Sequence, residues 1–275
     1  MLGEGPVWCA GEAALRFVDI KRGRLHRFDP ASGARETREV GGQPSFILPA
    51  AGGGFVVGSD GGLFHGDGQA LGRPLATLAM PPHNRTNDAT VDDAGRLWFG
   101  TMDDAEEQPT GALHCLDRGE VRASGWRAVV TNGPALGCDG RTLYHVDSGR
   151  RTIWRIALED GALAAEGEVF VRLTEDEGYP DGVVVDSEDC LWVALWDGWA
   201  VRRYAPDGTL LLQVAMPCAR PTKLAFGGPD LRTAYVTSAR VGLDEAALAR
   251  QPAAGGLFAF TAPAPGRVLP AVRLA

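Results

Sequence analysis

Six short stretches of this chain repeat one pattern at a nearly constant interval, and that interval restricts the architectures open to it. Each follows a turn rich in Gly, Asp or Pro and opens a strand on an apolar residue. They are Ala14–Asp19, Gly54–Ser59, Arg96–Thr101, Thr142–Asp147, Cys190–Leu195 and Thr233–Ser238. Counted from the second residue of each, successive units lie 40, 42, 46, 48 and 43 residues apart. Aromatic and β-branched residues dominate them, as a pleated, half-buried surface prefers. Most units continue into a second strand after a tight turn, as in Gly23–Phe28, Gly111–Leu116, Thr152–Ile156 and Gly256–Phe260. A period of this length with several strands per unit is the signature of propeller blades. The expectation is an all-β, six-bladed β-propeller occupying residues 1–275 as one domain; the alternative is a pair of β-sandwiches with accidental spacing. The 37 glycines and 18 prolines make up a fifth of the 275 residues, which suits short strands and many turns and argues against long helices. One helix is expected, over Asp244–Arg250 before Pro252, and Leu158–Glu168 reads as a hairpin because Gly161 and Gly167 interrupt it.

The charge balance narrows the partners. Lys and Arg number 27 against 35 Asp and Glu, a net charge of −8, with no basic run. Nucleic acid and anionic membrane surfaces both need clustered cations, so neither is an expected partner. The uncharged stretch from Gly41 to Ser59 contains Pro44, Pro49 and three consecutive glycines and is no membrane span. The first residues, Met1 to Glu4, have neither the basic nor the apolar region of a signal peptide. Five cysteines, never spaced CxxC, read as reduced and mostly buried thiols of a cytoplasmic protein.

The chemistry-bearing candidates sit in tight Gly and Pro contexts, each before an apolar strand of a different repeat. They are Glu4 in LGEGPVW, Arg85 and Asn87 in NRTND, Asn132 in TNGP and Asp181 in YPDG. Singly, each is an ordinary turn residue. Jointly, Glu4, Asn132 and Asp181 offer two carboxylates and one amide oxygen, a donor set for a hard divalent cation with positions left open for water and substrate. The five histidines form neither HxxxH nor HExxH, GxSxG is absent, and the glycine clusters precede strands, unlike those of phosphate-binding loops.

At these residues the sequence resembles the senescence marker protein/gluconolactonase (regucalcin-like) family of six-bladed propellers. The matching motifs are Leu2–Trp8, Phe17–Ile20, Asn87–Met102, Thr131–Pro134, Pro180–Gly182, Leu191–Trp196 and Phe226–Arg240, in family order across nearly the whole chain. Within the family they look most like the bacterial sugar-acid lactonases acting on xylonolactone. The resemblance implies that Glu4, Asn132 and Asp181 hold one divalent metal ion: calcium, zinc, magnesium, manganese or iron(II). It implies that Arg85, Asn87 and, in a variable loop, Glu107 contact a small sugar lactone. The implied reaction is hydrolysis of an aldono-lactone of the xylonolactone or gluconolactone type, with the metal polarising the carbonyl and activating water, and Asp181 as base. Two other readings stay open on the same scaffold: a calcium-binding regulatory propeller without turnover, and a metal-dependent esterase or phosphotriesterase. The chain departs from the family pattern at Cys9, where Asp is usual, at Ala89, where Gly is common, and at Gly137-Cys138, where a Ser-Pro turn is expected. Family members also carry a strand before LGEGP. Here Glu4 lies three residues from Met1, so either the start lies further upstream or the C-terminal strands close the ring.

Overall fold

The computed structural model describes residues 1–159, 161–164 and 166–274. Six antiparallel sheets succeed one another along the chain, each running outward from an innermost strand. The innermost strands are Gly3–Cys9, Pro44–Pro49, Asn84–Val91, Thr131–Leu136, Tyr179–Val185 and Pro221–Gly227, and they define blades one to six. Each packs on the next, and the sixth packs on the first, closing a propeller ring. Among the described residues the sixth sheet has three strands; blades one, two, three and five have four. The repeat visible in the sequence is the second strand of every blade, from Ala14–Asp19 round to Thr233–Ser238. The Leu158–Glu168 stretch contains a short strand, Ala162–Leu163, paired back on Leu158 and Glu159, while its Asp160 and Ala165 lie outside the described residues. The helix spans Glu245–Arg250, with the Asp244 side chain accepting from the Ala247 N–H at 2.7 Å.

Every innermost strand carries one residue more than the stretch it pairs with. In blade one Glu4 faces Val18 and Val7 faces Arg16, three steps against two. The same bulge recurs between Thr86 and Ala89, Asn132 and Ala135, Pro180 and Val183, and Pro221 and Leu224. Blade two has it between Pro44 and Phe46. An extra residue breaks the strict two-residue alternation and re-aims the side chains beside it. The bulges therefore divide the central channel. Glu4, Asn87, Asn132 and Asp181 line a cleft at one end. The apolar halves beyond the bulges, such as Phe46, Val183–Val185 and Leu224–Phe226, line a second cavity with Val268–Pro270 of the C-terminal tail. Gly5, at φ 53° in the first bulge, shows why glycine stands there: a Cβ would lie 3.0 Å from the Phe46 Cα and the Ser45 carbonyl oxygen.

The N-terminus is held from three sides, which fixes Glu4. Leu2 N–H donates to the Asp19 carboxylate at 3.0 Å, and the Leu2 carbonyl accepts from Ile20 N–H at 2.9 Å. Arg240 N–H donates to the Met1 carbonyl at 3.1 Å, and Thr222 Oγ1 donates to the Gly3 carbonyl at 2.6 Å. Two turn aspartates brace blades three and five from within. Asp92 accepts from Trp98 Nε1 at 3.0 Å, and Asp186 accepts from Trp192 Nε1 at 2.8 Å and from Arg203 Nε at 2.7 Å. Four cysteines are buried and Cys138 is half-buried; all five are free thiols. No helix among the described residues is long and apolar enough to cross a membrane.

Candidate active site

The residues singled out in four separate blades meet. Glu4, Arg85, Asn87, Asn132 and Asp181 all line a single cleft of about 420 Å³ where the N-terminal halves of the inner strands open. All five are at least nine-tenths buried. Glu107 is not brought there. It is exposed, its backbone N–H donates to Asp103 at 3.0 Å, and its neighbour Glu106 lines the cleft instead. The Asp103 carboxylate also accepts from the Ala105 and Gln108 N–H groups, a turn that decides which residue of the acidic run faces inward. Leu2, Ile20, Met102, Tyr179 and Trp196 supply the apolar wall.

A directed chain of hydrogen bonds orders the polar side. Arg85 Nε donates to Asp104 at 2.6 Å, and one terminal nitrogen donates to Asn87 Oδ1 at 2.7 Å and to the Thr86 carbonyl at 3.0 Å. Asn87 Nδ2 donates to Asn132 Oδ1 at 2.8 Å, and Asn132 Nδ2 donates to Ser148 Oγ at 3.0 Å. Ser148 Oγ donates in turn to the Pro180 carbonyl at 2.6 Å, one residue before Asp181. Three blades are thereby tied together, and both amides are held with a defined orientation. The other terminal nitrogen of Arg85 makes no hydrogen bond among the described residues.

The acids show the electrostatic cost of this arrangement. Burial pushes the Glu4 carboxyl up to about 8, and the nearby Asp88 charge adds to the rise. Burial, then Glu4 and Asp88, hold the Asp181 carboxyl well above the usual carboxylate range. Glu4 accepts from the Gly5 N–H at 2.8 Å, but among the described residues neither acid hydrogen-bonds to a basic side chain. Two buried acids sharing one cleft without a cationic partner are unfavourable unless a positive charge arrives or a proton stays. The chemistry of the donor set therefore fits a divalent cation, with the Asn132 amide oxygen as the third donor. No group of three His, Cys, Asp or Glu residues suited to a metal occurs among the described residues.

The sequence reading missed four polar neighbours: Glu106, Asp104, Asp88 and Lys223. Lys223 carried one faint signal, as a lone cation inside the buried strand Pro221–Gly227.

None of the five histidines lines the cleft. His145 is buried, and burial pushes its ring down to about 4 from the 6.5 of a free imidazole side chain. Below about 6.5 the unfolded chain takes up a proton that the folded chain refuses, so folding stability falls as pH drops toward 4. One such residue accounts for up to about 3 kcal/mol of that loss. His145→Leu is expected to flatten this acid limb, as read by urea melts at neutral and mildly acidic pH; an unchanged limb would place the acid sensitivity elsewhere.

Residues 2–240 match the model of the SMP-30/Gluconolactonase/LRE-like region. The chain is 35% identical over 272 residues to a 6-deoxy-6-sulfogluconolactonase of Pseudomonas putida, covering 97% of this chain and 93% of the relative. It is 37% identical over 281 residues to the pentonolactonase XacC of Haloferax volcanii, covering 97% and 92%. Among solved structures it is similar to regucalcin, a calcium-binding protein of Agrobacterium tumefaciens, with a TM-score of 0.94 at 31% identity over 99% of this chain and 94% of that one.

Proposed function

The chain belongs to the SMP-30/gluconolactonase/LRE-like family, and from that premise we propose that it is a divalent-metal-dependent lactonase that hydrolyses an aldono-lactone to the sugar acid. The observation carrying this reading is the pair of buried acids, Glu4 and Asp181, facing one cleft with the Asn132 amide and no cationic side-chain partner. Glu4, Asn132 and Asp181 would hold the ion. Calcium, magnesium, manganese, iron(II) and zinc all accept such oxygen donors.

A lactone is an internal ester, so its opening needs a polarised carbonyl, a deprotonated water and a place for the developing oxyanion. A bound divalent ion supplies Lewis acidity toward the carbonyl and toward water. Asp181 takes the proton of the attacking water, its carboxylate lining the cleft beside Glu4 and Asn132. Arg85 offers its free terminal nitrogen to ring or hydroxyl oxygens of the sugar, and Asp104 keeps the guanidinium from swinging away. Asn87 sits between Arg85 and Asn132 and fixes the lactone against both. The apolar wall of Tyr179 and Trp196 lowers the local dielectric and strengthens these contacts.

Arg85→Ala is expected to raise KM at least about tenfold with a smaller change in kcat, because the lost bond serves substrate binding in ground and transition states alike. Steady-state constants for one lactone decide this, and unaltered constants would remove Arg85 from the substrate site. The reaction class is tested by a pH-indicator assay of xylonolactone, gluconolactone and arabinonolactone beside aryl esters and organophosphates, with spontaneous hydrolysis subtracted. Fast opening of at least one lactone is expected; turnover of esters or phosphotriesters alone would move the chain to another hydrolase class. The similarity to a calcium-binding regucalcin favours a second reading, an ion-binding propeller without turnover. Tight calcium binding with no hydrolysis across the panel would select it.

A further inference from the structure

Between the polar cleft and the apolar cavity lies a buried ion pair that the proposed chemistry has not used. Lys223, in the bulge of blade six, donates from Nζ to Asp88 Oδ1 in the bulge of blade three and to the Ala89 carbonyl at 3.1 Å. Both side chains are more than nine-tenths buried. The stem of the lysine crosses blade five on the way. A Cβ at Gly182 would stand 2.5 Å from Lys223 Cβ and Cγ and 2.9 Å from Cδ, so the side chain lies directly on the backbone next to Asp181. Asp88 follows Asn87 in sequence, and its Oδ2 is buried without a partner. One lysine thus touches the strands that carry Asp181 and Asn87 and cancels the charge of a third acid below them.

We propose, on the lactonase reading above, that the Asp88–Lys223 pair is a positioning element: it lies behind the strands that carry Asn87 and Asp181 and keeps Asp88 from adding a further free carboxylate to Glu4 and Asp181, the two acids that would hold a divalent ion. Asp88 adjoins Asn87 in the strand that lines the cleft, and Lys223 lies on the backbone beside Asp181, so an unpaired charge on Asp88 would act on the cleft. Lys223 offsets it. Without the lysine, Asp88 becomes a third free carboxylate and draws a cation downward, away from the lactone. Without the aspartate, the ammonium stands unpaired beneath the ion and repels it.

The two halves of the pair should therefore move metal affinity in opposite directions, which loss of packing would not do. Manganese binding to metal-free protein is measured by calorimetry for the wild type, Lys223→Met, Asp88→Asn and the double variant, with lactone kinetics and thermal melts on each. Lys223→Met is expected to bind manganese at least about threefold more tightly and Asp88→Asn at least about tenfold more weakly. The double variant should return to within about threefold of the wild type, since it leaves no unpaired charge. Each single change should lower kcat at least about thirtyfold with KM within about threefold, and the double variant should regain at least about tenfold over Lys223→Met. Affinity and kcat falling together in both single variants, with no recovery in the double, would reduce the pair to a packing role and overturn the proposal; so would variants indistinguishable from the wild type. A wild type that neither binds manganese nor opens lactones would instead sink the lactonase reading, and this proposal with it.

Discussion

Asp181→Ala, restored to full metal occupancy, is expected to open lactones about a thousandfold more slowly than the wild type, the middle of the range that a positioned general base contributes. The residue has two tasks, and the experiment must separate them. As a donor it completes the set with Glu4 and Asn132, all three lining the same cleft. As a base it would take the proton of the attacking water from its place in the cleft beside Glu4. Asp181→Asn keeps an oxygen donor in nearly the same volume and removes the proton acceptor. It should hold the ion, more weakly, and still fail to turn over. Elemental analysis of each variant beside its kcat tells the two losses apart. A metallated Asp181→Asn protein with wild-type kcat would assign the base to another group, Glu106 at the cleft wall being the next acid in reach.

Removing the ion should have an equally large effect. Protein treated with a chelator and desalted is expected to show no lactone opening above the spontaneous rate, and to recover when a divalent salt is added back. Folding stability should follow. An ion present at a hundred times its dissociation constant adds about 2.7 kcal/mol, worth about 5 °C in melting temperature for a chain of this size. The physical reason is the same for both effects: Glu4 disfavours the charge of the buried Asp181, and without a cation the folded state must either carry that repulsion or hold a proton. Chelated protein that retains full activity would mean that side chains alone polarise the carbonyl, and Arg85 would become the electrophile to test.

The ring and most of the residues that line the cleft were legible in the sequence, but for unequal reasons. Second strands such as Leu97–Asp103 and Leu191–Trp196 are hydrophobic, glycine-bounded and evenly spaced, so their period announces the blades. The innermost strands were hidden. Thr131–Leu136 and Tyr179–Val185 contain Asn132-Gly133-Pro134 and Pro180-Asp181-Gly182, which read as turns. A bulge recruits the same residues as a turn, since both need a locally bent backbone, and Gly133 sits at φ 66°. Residues that line the cleft were thus found with the wrong local structure around them. Glu107 illustrates a different limit. Asp103–Glu107 is a run without periodicity, and only the Asp103 side chain, by accepting three backbone N–H groups, settles that Glu106 turns inward. Asp88 and Lys223 lie 135 residues apart. Nothing local to either marks the other as its partner, because the contact exists only once the ring has closed. The tie of Met1 and Leu2 to blade six and to Asp19 and Ile20 is equally invisible beforehand, and it is what holds Glu4, so near the chain end, in the cleft.

The most direct test of the central claim is a crystal soaked in a manganese salt, with data collected at the manganese absorption edge. A single anomalous peak is expected on the propeller axis, with oxygens of Glu4, Asn132 and Asp181 at about 2.0–2.6 Å from it. A peak bound by other residues, or none at full soaking concentration, would contradict the assignment of these three side chains as the donors of one divalent ion.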